Sequence, residues 1–126
     1  MSGGVYEYVA GYINGNVGSS GLSVSNYDSK YFNVYPSNST ETSYQNRILG
    51  DATGEMGSFK NYADGDGGSR PHNSWYADYS YFVYSSWPWF YRGGIYNYGV
   101  LAGQFNFDSC TGGAYDHIGF RLVLTP

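Results

Sequence analysis

Cys110 and His117 stand seven residues apart in "DSCTGGAYDH", and as residue types they are the pair that could supply a thiol nucleophile and its base. Such a pair works only when the fold brings the imidazole within hydrogen-bond reach of the thiol, which spacing alone does not decide. His72 is the second of the 2 histidines, and with a lone cysteine the chain has too few soft ligands for a zinc site. His72 and His117 are therefore read as surface residues. Asp64 and Asp66 in "DGDGG" set two carboxylates on a glycine turn, as calcium loops do, but the later bidentate Glu of an EF-hand is missing. A solvated turn is the preferred reading there, with calcium as the alternative. The single Cys110 also rules out an internal disulfide framework and leaves the redox compartment open. No cofactor is expected.

The elements that must position these residues are short. A chain of 126 residues bounds the protein to one domain, with 16 Tyr, 7 Phe and 3 Trp set among 19 Gly. So many aromatics are costly to leave in water, which argues against disorder and for irregular β structure with contact surfaces. The 6 Lys and Arg are scattered and the formal net charge is -4, so no basic stripe is available for nucleic acid. No apolar run approaches a membrane span, and no membrane insertion is expected. "GVYEYVAGYI" (4–13) reads as a strand, residues 14–29 as an exposed loop, and "KYFNVYP" as an extended segment ending at Pro36. The stretch 37–59 offers the one candidate helix, with N-cap residues from Ser37 to Thr42 and helical spacing in "YQNRILGDA". "NYADGDGGSRPHNSWYAD" is a second long loop. "YSYFVYSSWPWFYRGG" follows as two extended pieces broken by Pro88, and "HIGFRLVLTP" closes the chain as a strand.

Three of these stretches carry a resemblance. "MSGGVYEYV", "WFYRGGIY" and "HIGFRLVL" resemble, in order and spacing, the "DMSGNVWEW", "RGGSW" and closing "GFR" elements of the formylglycine-generating-enzyme (FGE) branch of the C-type lectin fold. The resemblance implies an α+β, C-type-lectin-like (FGE-like) fold of short irregular antiparallel strands with one or two short helices at most. It implies a single domain over residues 1–126, abbreviated at the amino end, where that family carries a further strand and helices. Glycines in RGG and IGFR suit close backbone approach. Arg92 and Arg121 suit tying loops to carbonyls, with Glu7 pairing one of them. Copper-binding oxidases of this branch use two cysteines that fall near Gly103 and Asp108 here, so copper chemistry is not expected. The calcium signatures of sugar-binding C-type lectins are likewise missing from the sequence.

Between the framework motifs, residues 95–118 are similar to the variable region of proteins diversified by retroelements, in which adenines of a template, often in AAC codons for Asn, are replaced at random. Such replacement cannot yield Lys, Glu, Met or Trp, and none of these occurs in 95–118. "IYNY", "DSCT" and "YDH" look like mutated Asn codons set within fixed "AG.FNF" and "GGA". The adjoining "GDATGEM" and "WYADYSYFVYSSWPWFYRGG" resemble the framework of human gut-associated variable proteins. The resemblance implies a non-enzymatic module that displays Ile95, Tyr96, Asn97, Tyr98, Leu101, Asp108, Ser109, Cys110, Thr111, Tyr115, Asp116 and His117 to a protein or cell-surface ligand. It implies a place on a cell surface or phage virion. The aromatic content is compatible with contacts between copies, as a homo-oligomer. The alternative is an FGE-related domain with lost or unrecognised enzymatic activity.

Overall fold

The computed structural model describes residues 4–26, 29–48, 53–54 and 78–119. Its frame is a five-stranded mixed open sheet. Strand β1 (Tyr6–Ile13) carries tyrosines at 6, 8 and 12 on one face and is buried at Tyr6 and over Gly11–Ile13. β2 (Asn33–Tyr35) runs parallel to the carboxyl half of β1, and β5 (Ile118–Gly119) runs parallel to its first residues. β3 (Trp89–Arg92) pairs antiparallel with β1, and β4 (Phe107–Cys110) antiparallel with β3.

The expectation of antiparallel strands is thus met for two pairings and corrected for two. A parallel pair needs a crossover of about a dozen residues or more, and the turn-rich segment after β1 is long enough to carry the chain back to the starting end. The expected helix in 37–59 is also corrected within the described residues, where Tyr44–Asn46 makes only one 3-10 turn. The serines and threonine before it bond locally instead of capping a helix. Ser43 Oγ accepts from the Thr40 N–H at 2.8 Å, and Ser39 Oγ accepts from Asn46 Nδ2 at 3.0 Å. Among the described residues no helix reaches seven residues, so the fold is α+β-like and mostly strand. The Asp64–Asp66 turn, His72, Arg121 and the rest of the closing strand lie outside the described residues.

Strand parity sends side chains to two cores. On one face Ile13, Tyr35, Phe82, Val83, Phe90 and Phe107 form a closed cluster. Phe90 meets Tyr35, Phe82 and Phe107 edge to face at 5.3, 5.1 and 6.4 Å between centroids. A fully buried aromatic of this kind is worth about 3–5 kcal/mol when truncated to alanine. The other face carries Tyr6, Tyr12, Trp89, Tyr91 and Cys110, with Trp89 stacked on Tyr12 at 5.1 Å. The pairing of β1 with β3 shifts register between Tyr8 and Tyr12.

Gly94 of RGG sits at a close approach of two backbones, as expected of the motif's glycines. β1 and β3 set Glu7 opposite Arg92, a cross-strand pairing of opposite charges. Gly94 has φ 63°, and a Cβ on it would lie 2.7 Å from the Cα of Ala102, so only glycine lets the two backbones meet there.

Candidate ligand-binding site

The second face is covered by two irregular segments. The first runs from Ile95 through the 3-10 turns of Tyr96–Leu101, and the second follows β4 from Thr111 to His117. Both are pinned by main-chain bonds. Tyr96 N–H donates to Gly4 O at 3.1 Å, Tyr98 N–H to Ile95 O at 3.1 Å, and Ala102 N–H to Gly99 O at 3.1 Å. In the second segment Ile118 N–H donates to Tyr115 O at 3.2 Å, and Tyr6 N–H reaches His117 O at 3.0 Å. The Tyr6 ring is the post they share, with Tyr98 edge-on at 5.9 Å and His117 edge-on at 6.1 Å.

Across this frame the expected display residues separate into two groups. Tyr96 is 78% exposed, Asn97 is exposed, Tyr115 is 44% exposed, and the Asp116 side chain is fully open to solvent. Thr111 and His117 are half-buried. Ile95 and Tyr98 are also half-buried and lean on the second core, so their rings and methyls serve packing as much as display. The Leu101 side chain lies outside the description.

Asp108, Ser109 and Cys110 correct the expectation of a solvent-facing run, because they are only 4%, 2% and 7% exposed. The cause is the pairing of β4 with β3 inside a sheet covered on both faces, which no loop-like composition of "DSC" announces. Asp108 is bonded into this interior. Its Oδ2 accepts from Tyr91 Oη at 3.2 Å and its Oδ1 from the Ser109 N–H at 2.7 Å. Burial, with the Asp108 charge as the second cause, pushes the phenols of Tyr6, Tyr79 and Tyr91 far above their ordinary range.

Cys110 and His117, the pair considered for catalysis, are turned to other partners. The Cys110 thiol donates to Tyr8 Oη at 3.4 Å, while Tyr8 Oη donates to Gly113 O at 2.5 Å. His117 Nδ1 faces Asp116 Oδ1 at 3.0 Å. Burial pushes the Cys110 thiol up, against the pull of hydrogen bonds with Tyr8 and the Gly112 backbone. A thiol so held should react with an aromatic disulfide reagent at pH 8 at least roughly tenfold more slowly in the folded protein than in urea. Equal rates would show that Cys110 is open to solvent.

Between the second segment and the strands lies a cavity of about 180 Å³. Trp87, Tyr91, Tyr115 and His117 give it aromatic walls, and Ser109, Cys110 and Thr111 complete the lining. Tyr115 is set by its stack on His117, 5.5 Å and 21° between rings, and by a 2.8 Å hydrogen bond between its hydroxyl and Thr111 Oγ1. Gly112 holds the segment close to the sheet. At φ 89° it is in the left-handed region, and a Cβ would stand 2.5 Å from Trp89 Cδ1.

Trp87 and Tyr91 are wall residues that the reading of the variable stretch did not include. Their signal is in the sequence, since Trp87, Trp89 and Tyr91 alternate with Pro88 and Phe90 along an extended segment and so share a face. Among the described residues no group of three or more His, Cys, Asp or Glu could hold a metal ion. Gly103 lies so close to the Asp78 carboxylate that any Cβ would collide with it. No helix among the described residues is long and apolar enough to cross a membrane. In comparison with known proteins the chain matches no family, and no curated sequence or solved structure is significantly similar to it.

Proposed function

We propose that this chain is a non-enzymatic display module, the variable protein of a diversity-generating retroelement on an FGE-like branch of the C-type lectin fold. In this reading it presents exchangeable side chains to a protein or cell-surface ligand from a cell surface or phage virion. The observation that carries the reading is the way the two segments over the second face are held. Their backbones are fixed by main-chain hydrogen bonds, while the side chains of Tyr96, Asn97 and Asp116 are exposed and that of Tyr115 is partly exposed at the mouth of the cavity. A position whose side chain belongs to neither core can be exchanged without refolding, which is what a diversified contact surface requires. Tyrosines there supply wide amphipathic contact at low entropy cost, as in antibody loops. The displayed set is accordingly Tyr96, Asn97, Thr111, Tyr115, Asp116 and His117, with Asp108, Ser109 and Cys110 assigned to the frame.

Simultaneous exchange of Tyr96, Asn97, Tyr115 and Asp116 for Ser, Asp, His or Asn tests it. The exchanged proteins are expected to keep their unfolding free energy within about 1 kcal/mol and to differ in the ligands they capture. Loss of folding on exchange rejects the module. The DNA gives an independent check, a template repeat that differs from the sequence encoding residues 95–118 only at adenines.

A further inference from the structure

We infer that the cavity between the Thr111–His117 segment and the sheet is a receptor for a basic side chain, the guanidinium or ammonium head of an arginine or lysine on a protein partner. The inference rests on the reading of this face as a ligand-binding surface and names what the surface is built to take. Four of the lining side chains, Trp87, Tyr91, Tyr115 and His117, are aromatic, and the cavity of about 180 Å³ has room for a cationic head and its last methylenes. Ring faces attract a cation through their quadrupole, most strongly for Trp, and the attraction grows as the site dries. Two of the walls are open to an arriving group, Trp87 at 43% exposure and Tyr115 at 44%.

Charge points the same way. Among the described residues no Lys or Arg lines the cavity. Behind the Tyr91 wall the Asp108 carboxylate accepts that residue's hydroxyl, which leaves the phenol ring richer in electron density than a free one. Beyond the His117 wall stands the Asp116 carboxylate, 3.0 Å from Nδ1 and wholly exposed, placed to meet a cation outside the rings. The whole chain is acidic, with a formal net charge of -4, and attracts basic surfaces at long range. A neutral apolar knob would gain from the rings but nothing from these charges.

The test is a titration followed by NMR at the Trp87 indole N–H and the Tyr115 ring, at pH 8, well above the ordinary histidine range. The ligands are Nα-acetyl-arginine methylamide and its citrulline counterpart, which has the same shape without the charge. The arginine compound is expected to give saturable shifts at both rings and to bind at least roughly fivefold more tightly than the citrulline compound. Trp87→Leu and Tyr115→Leu, both at partly exposed positions, should each weaken it by about fivefold or more with the amide spectrum otherwise retained. Equal binding of the two compounds, or shifts by neither, overturns the inference. Tighter binding of tetramethylammonium than of the arginine compound also overturns it, in favour of a small quaternary ammonium ligand. Failure here leaves the display module intact if exchange at residues 96, 97, 115 and 116 still alters ligand capture without unfolding. Unfolding on that exchange removes the module itself.

Discussion

Replacing Asp108 with alanine should lower the free energy of unfolding by about 3 kcal/mol, whereas replacing Tyr96 with alanine should change it by less than about 0.5 kcal/mol. The two residues stand in the same irregular stretch of sequence and differ in what surrounds them. Asp108 is 4% exposed and accepts from the Tyr91 hydroxyl and the Ser109 N–H. Removing the acceptor leaves two buried donors without it, each worth about 1–3 kcal/mol when unsatisfied. Asp108→Asn keeps the shape and one acceptor oxygen, so its cost should be nearer 1 kcal/mol. Tyr96 is bound through its backbone to Gly4 and its ring is in solvent, so truncation removes little. Urea unfolding of the three variants decides the matter, with midpoints that move and slopes that do not. If Asp108→Ala and Tyr96→Ala unfold alike, then β4 is not the frame and the division between frame and display is wrong.

Alkali should unfold the protein steeply. The phenols of Tyr6, Tyr79 and Tyr91 are all raised above the ordinary 10.0, first by burial and next by the Asp108 charge. In the unfolded chain they ionise near pH 10, while in the folded protein they keep their protons well beyond it. Above that pH the folded state therefore binds more protons than the unfolded state, and stability falls as pH rises. Their contribution is fully present below pH 10. With three groups the slope is on the order of 4 kcal/mol per pH unit, enough to exhaust the stability of a small domain within about two units. Phenolate absorbance followed with circular dichroism checks it. The buried phenolates should appear only together with loss of structure. Smooth titration of all 16 tyrosines with the fold intact would contradict the buried phenol cluster.

Part of this architecture was legible in the residues. The alternation in "YEYVAGYI" names β1 and, through parity, both of its faces, because side chains of an extended chain must point alternately to opposite sides. RGG names a close backbone approach, and the structure has it at Gly94 against Ala102. The helix expected after Ser37 illustrates the opposite case. Its spacing and its capping residues were both present, but Thr40 and Ser43 bond to one another, Ser39 accepts from the Asn46 side chain, and Tyr44–Asn46 makes a single 3-10 turn. The exposure of Tyr96, Asn97, Tyr115 and Asp116 was legible, and the cavity between the Thr111–His117 segment and the strands was not.

By itself, then, the sequence determined the chemistry available to this protein: an acidic, tyrosine-rich, glycine-punctuated chain with strands at either end of an unpatterned stretch, and no residue set for thiolate metal binding. Tertiary structure alone decided which members of that stretch are surface. Asp108 and Asp116 are the same residue type eight positions apart, one buried beneath Tyr91 and the other wholly exposed beside His117. Nothing local separates them, because burial here comes from β4 pairing with β3 and from segments distant in the chain closing over both faces of the sheet. The cavity has the same origin, since Trp87, Tyr91 and Tyr115 become neighbours only when β3, β4 and the turn after β4 pack together.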